Sequence, residues 1–276
     1  ELEKMTHGLS ESEKMPVLFL GHGNPMNAIE ENEFVKGFRD LGKGIPRPRA
    51  IIVVSAHWET RGTYVTAMEK PPTIHDFSGF PPALYEVDYP AKGEPNLAAY
   101  AKQILDPYLA PQQAELDEKW GLDHGAWSVI KHLYPNADIP IIQISIDYSK
   151  PPIYHFELAQ QLQTLRNKGV LIIGSGNIVH NLRMVDWANF DKDDYGYDWA
   201  IEARARINKL LMEGEYSPLL KYQEQGMSFK LAIPSADHYL PLIYTLGLQQ
   251  KKEQLHLFND KLLAGSLSMT SVKIGN

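Results

Sequence analysis

The chain has no cysteine among its 276 residues. That excludes disulfides, a cysteine nucleophile and any thiolate metal site, so a metal would have to be held by His, Asp or Glu. A donor set of that kind points to a catalytic centre and not to a finger-type structural one. Long apolar runs are also missing: no stretch approaches the roughly 18 residues that suggest a membrane span. Positive charge is in deficit, with 27 Lys and Arg against 34 Asp and Glu and a formal net charge of -7. A sequence-independent nucleic-acid binder would need a basic face, so that class is set aside. Residues 1–14 are charged and lack an apolar signal core, so they are taken as an N-terminal tail and the expected location is cytoplasmic. There is no repeat, low-complexity segment or linker. Nothing in the sequence signals an oligomeric state.

What is present is ordinary for a globular protein: 43% hydrophobic and 22% charged residues. The organising stretch is Ala50-Ile51-Ile52-Val53-Val54-Ser55-Ala56-His57-Trp58. Its β-branched run reads as a strand buried on both faces, which delivers His57 just past its end. Ligands of open α/β sheets bind outside the carboxyl ends of strands. A shorter strand at Val17–Leu20 ends in Gly21-His22-Gly23-Asn24-Pro25, and Asn27 with Glu30 reads as a helix start. Phe34, Val35, Phe38 and Leu41 share one face of that helix, which Gly42 should end. Strand, helix and strand form a βαβ unit of neighbouring strands, with His22 and His57 at one sheet edge.

Residues 63–68 alternate as a possible edge strand, and 71–90 form a loop rich in Pro, Gly and aromatics, read as a lid or pocket wall. Helices are expected around Leu97–Tyr108, before Pro135, across Leu158–Leu165, and at 197–212 and 216–225. Ile139–Ile146 and Val170–Ile173 read as further buried strands, with antiparallel additions at 255–258 and 266–274. The expected fold is therefore a single α/β domain over residues 15–276. It has a mostly parallel central sheet flanked by helices, with antiparallel additions.

His22, His57 and His180 follow apolar strands, and His124 and His238 lie in turns flanked by Gly, Asp or Pro. Any one alone would pass for a loop or capping histidine. Several in the same topological position point to one site. His132, His155 and His256 read as structural, His7 as part of the tail, and His75 is left open because the lid could bring it over a pocket. No His-Glu-x-x-His, dinucleotide fingerprint or Walker loop is present. Gly174-Ser175-Gly176 only weakly echoes a serine nucleophile elbow.

Six motifs occur in order: Leu20-Gly21-His22-Gly23-Asn24-Pro25-Met26, Ser55-Ala56-His57-Trp58, Thr73-Ile74-His75-Asp76-Phe77, Asp123-His124-Gly125, Ser175-Gly176-Asn177-Ile178-Val179-His180-Asn181 and Asp237-His238-Tyr239-Leu240-Pro241-Leu242. Together they resemble the class III extradiol ring-cleaving dioxygenases, in the branch similar to DOPA 4,5-extradiol dioxygenases. The resemblance implies one non-haem metal held by His22, His57 and His238. It implies His180 as the acid/base, with recruitment as a fourth ligand in some members, and His124 facing substrate and dioxygen. Phe77, His75 and Tyr239 are expected to line the pocket, with Phe80.

The implied reaction opens a catechol ring with O2, for which Fe2+ offers open positions and histidine a base near neutral pH. Three imidazoles in place of two and a carboxylate also suit Zn2+, which binds such nitrogen sets more tightly. The expectation is zinc in the purified protein and iron for activity. Two other readings stay open here: a zinc hydrolase using the same cage, and a non-enzymatic binding protein on this fold.

Overall fold

A computed structural model describes residues 13–276 of the chain. Its central sheet has six strands: β1 (Val17–Gly21), β2 (Ala50–Ser55), β3 (Ile141–Gln143), β4 (Val170–Gly176), β5 (Leu255–Phe258) and β6 (Ser271–Ile274). Their spatial order is β3-β2-β4-β1-β6-β5. The first four run parallel, and β6 and β5 are added antiparallel beside β1.

The pleat explains why the parallel strands are buried at every position and mostly apolar. Ile51 and Val53, with Leu18, Leu20, Leu171 and Ile173, face a core closed by α1 (Glu33–Gly44) and α3 (His124–Leu133). Ile52 and Val54, with Val17, Phe19, Val170 and Ile172, face the opposite core. That core is closed by α2 (Pro95–Leu109), α4 (Pro152–Gln161), α5 (Asp198–Glu213) and α6 (Leu240–Gly247). Both faces of each strand are covered, as a parallel sheet requires. Among the described residues no helix is long and apolar enough to cross a membrane.

Several local expectations are corrected. β1 and β2 are not neighbours: β4 lies between them and pairs with both, Gly21 opposite Gly176 and Ser55 opposite Ser175. Asn27 caps nothing. Pro25 starts a short 3-10 turn early, capped by Asn24, and Asn32 caps α1 by accepting from Val35 N at 3.0 Å. The buried Asn27 instead donates to the His22 carbonyl at 3.0 Å. Helix α1 runs past Gly42 to Gly44. The segment 139–146 is not one strand: Ile144 N still donates to Val53 O at 2.9 Å, but Ser145 N turns to Tyr64 O at 2.9 Å and the chain leaves the central sheet. Tyr64–Thr66 pairs with Glu115–Asp117 outside the main sheet.

Residues 1–12 of the expected tail, His7 included, lie outside the described residues. Lys14 is tied to the folded body by an ion pair with Glu253 at 2.6 Å, one residue before the expected boundary.

The Gly174-Ser175-Gly176 motif proves to be a packing device. A Cβ on Gly176 would stand 2.2 Å from the His238 carbonyl oxygen, and one on Gly174 2.3 Å from that of Pro241. Their bare backbones let the turn carrying His238 settle on the end of β4, where Asn177 N donates to His238 O at 2.9 Å.

Candidate metal centre and substrate cavity

Five histidines from five chain segments converge at the carboxyl edge of the parallel strands. His22 follows β1 directly, and its amide donates to Gly176 O at 3.1 Å. His57 sits in the turn after β2, its amide 3.2 Å from Ser55 Oγ. His124 opens α3, His180 lies four residues beyond β4, and His238 precedes α6. His22 Nε2 and His57 Nε2 face each other at 3.1 Å. The His238 ring centroid is 5.3 Å from that of His22 and 5.0 Å from that of His57. His124 lies 3.8 Å from His57, and His180 stacks on His238 at 3.5 Å.

Two of these rings have their tautomers set by partners behind them. Ser175 donates its hydroxyl proton to Gly125 O at 2.5 Å, so its oxygen accepts from His22 Nδ1 at 3.0 Å. Asp237 Oδ2 accepts from His238 Nδ1 at 2.5 Å. Both arrangements leave Nε2 with a free lone pair, the geometry by which outer hydrogen bonds orient metal-ligating histidines. Burial, then the neighbouring imidazoles, hold His22 and His57 well below the ordinary histidine range. Burial, then His238, pushes His180 down to about 3. His22, His57 and His180 are therefore neutral near pH 7, the form in which imidazole binds metal.

Donor nitrogens and oxygens close enough for one ion fall into two groups, His22–His57–His124 and His180–Asp237–His238, each within 4.8 Å. The set expected from the sequence, His22, His57 and His238, spans both, and His124 stands nearer to the first two than a residue merely facing substrate would need to. This convergent set of imidazoles fits a divalent metal.

Asp76 ties the lid to the site. Its Oδ1 accepts from the His124 amide at 2.8 Å and lies 3.0 Å from His124 Nδ1, while Oδ2 is 3.6 Å from His57 Nδ1. Deeper still, the fully buried Asp123 accepts from Ser55 Oγ at 2.6 Å, Gln143 Nε2 at 2.8 Å and Trp120 Nε1 at 3.2 Å. Asp76, Asp123, Ser175 and Asp237 were not singled out from the sequence as supports. The available signal was adjacency, since three of them directly follow or precede a histidine in the chain.

The rings open onto a cavity of about 310 Å³ that all five histidines line, with Asn24, Asn177, Phe77 and Phe80. Its outer wall is Leu182, Trp187 and Phe190. Two expected pocket residues do not line it. His75 sits behind Phe77, its Nε2 2.9 Å from Val87 O. Tyr239 is buried in the core, where its hydroxyl donates to Leu219 O at 3.0 Å and its ring meets Tyr222. One residue past His238 the backbone is already helical, which swings the side chain about 100° to the other side. A larger groove of about 640 Å³ beside Arg39 and Lys131 includes none of these five histidines. His132 and His155 are structural, bonded to Asn27 O at 2.7 Å and to the Tyr244 hydroxyl at 3.1 Å.

The family model for the catalytic LigB subunit of aromatic ring-opening dioxygenase matches residues 16–266. The chain belongs to this family. It is 49% identical over 268 residues to a 4,5-DOPA dioxygenase extradiol of Escherichia coli K12, covering 96% of each chain. Identity to the protein of that name from Beta vulgaris is 34% over 267 residues, covering 96% of this chain and 98% of the relative. The fold matches the crystal structure of an uncharacterized protein from Escherichia coli K12 with a TM-score of 0.81 and 44% identity. That match covers 95% of this chain and all of the other. The expected α/β architecture and ring-cleaving dioxygenase class both hold.

Proposed function

We propose that the chain is an extradiol dioxygenase that opens the ring of DOPA or a related catechol with O2, by 4,5-type cleavage. The carrying observation is the convergence of five histidines on one cavity, two with Nδ1 anchored so that Nε2 is free. His22, His57 and His238 would hold the metal, with the Nδ1 anchors of His22 and His238 as the support for this choice. A bound ferrous ion would supply positive charge and open positions for a catecholate and dioxygen, and the electron that dioxygen chemistry needs.

The remaining work falls to the chain itself. His180 is unprotonated at neutral pH, so its lone pair is free to accept a proton from a catechol hydroxyl, whose acidity a bound ion would raise, and to return it later. Its stacking on His238 holds it at the cavity wall, as either acid/base or fourth ligand. His124, fixed by Asp76, borders the space where substrate and dioxygen meet. Phe77 and Phe80 flank the ring and exclude water. The substrate is a small molecule, and we place the enzyme in the cytoplasm.

On donor type alone the site prefers zinc, so zinc is expected in protein purified without added iron. Metal analysis checks this directly; tightly held iron without zinc would contradict it. Activity is tested by anaerobic reconstitution with ferrous iron, then addition of L-DOPA and air. The expected result is a yellow product formed with oxygen uptake.

A further inference from the structure

We propose that Leu182, Trp187 and Phe190 form a specificity wall that recognises an apolar, uncharged substituent on the catechol ring. The inference rests on the ring-cleavage reading and narrows its substrate class. The segment after His180 runs through two short 3-10 turns, Leu182–Met184 and Trp187–Asn189, along one rim of the histidine cavity. Large apolar side chains there are left in water: Leu182 is 60% and Trp187 69% exposed. The Trp187 and Phe190 rings stack nearly parallel with centroids 5.8 Å apart, giving a flat face rather than a scatter of single residues.

An exposed apolar face continuous with a buried polar site is the usual form of a ligand-binding wall. A substrate whose two hydroxyls reach the histidines directs its para substituent outward. The walls it can then meet are Leu182, Trp187, Phe190 and Phe80. The polar side chains on the lining are imidazoles and the amides of Asn24 and Asn177. A carboxylate in this position would meet no cation among the lining residues and would gain nothing from the apolar face. Arg183, between Leu182 and Met184, is exposed and lies outside the lining. It is the group that could reverse the preference.

The test measures binding without turnover, by calorimetric titration of zinc-loaded protein with catechol, 4-methyl-, 4-propyl- and 4-butylcatechol, 3-(3,4-dihydroxyphenyl)propionate and L-DOPA. Affinity is expected to rise by up to about fourfold per added methylene, with 4-propylcatechol bound at least tenfold more tightly than L-DOPA. Leu182→Asn and Trp187→Ala should flatten the alkyl series. Both side chains are exposed, so an unchanged melting temperature will show that the fold is kept. The proposal is overturned if L-DOPA or the propionate binds more tightly than 4-propylcatechol, above all if Arg183→Ala removes that advantage. It is also overturned if the variants keep the full alkyl slope. Catechol binding with the wrong order would leave the ring-cleavage reading standing. Failure of every catechol to bind would remove both.

Discussion

Ser175 Oγ lies 3.0 Å from His22 Nδ1 and gives its own proton to Gly125 O, which turns the bare Nε2 of His22 toward the cavity. Ser175→Ala removes the acceptor that fixes this tautomer without opening a large void. The variant should bind divalent metal 10- to 100-fold more weakly, read by competition with a chromophoric chelator. Unchanged affinity would mean that the His22 tautomer is set in another way.

Asp76 faces two histidines with one carboxylate: Oδ1 accepts from the His124 amide and lies 3.0 Å from its Nδ1, and Oδ2 stands 3.6 Å from His57 Nδ1. Asp76→Ala should lower kcat by about 10- to 100-fold, the range found when an outer hydrogen-bond partner of a metal ligand is lost. Asp76→Asn keeps an acceptor for the His124 amide and should recover part of that loss. Equal loss in both variants would indicate that the negative charge matters more than the hydrogen bond.

We propose His180 for proton transfer, with metal ligation as the alternative. His180→Gln should lower kcat by about 10²- to 10⁴-fold while metal content stays at one per chain. If the metal is lost as well, His180 is a ligand and the proton must travel by another group.

Away from the site, His155 is fully buried against the Tyr244 hydroxyl, and burial pushes it down to about 4. A histidine whose folded value is depressed favours the unfolded chain as pH falls, because the unfolded state takes up the proton first. Its contribution is complete above about 6.5 and is lost as pH falls toward 4, by roughly 3 kcal/mol. His22, His57 and His180 are depressed too and act in the same direction, so the difference between wild type and His155→Leu isolates this residue. Urea midpoints at pH 7 and pH 4.5 should converge in the variant relative to wild type. An unaltered pH dependence would show that His155 is not the group involved.

The parts legible in the sequence were those written over short spans. Ile51–Val54 announced a doubly buried strand because every position is apolar, and His57 followed it within three residues. The five histidines could be grouped because each sits at a strand end or a Gly- or Pro-flanked turn. Illegible were relationships set by the fold. Ser175 and His22 are 153 residues apart, and Asp76 and His124 are 48 apart. No local pattern encodes either pairing. Tyr239 was misplaced for the converse reason: nearness to His238 in sequence was read as nearness to the cavity, whereas one helical step sends it into the core. The position of β4 between β1 and β2 was equally hidden, since adjacent elements of a βαβ unit need not be adjacent strands.

The measurement that tests the central claim most directly is oxygen uptake by protein reconstituted anaerobically with ferrous iron and given 4-methylcatechol and air, with the product examined by mass spectrometry. The account predicts one O2 consumed per catechol and a ring-opened product heavier than the substrate by one dioxygen molecule, with no such product from His57→Ala. Absence of uptake with this and every other catechol tried, or full turnover in His57→Ala, would contradict it.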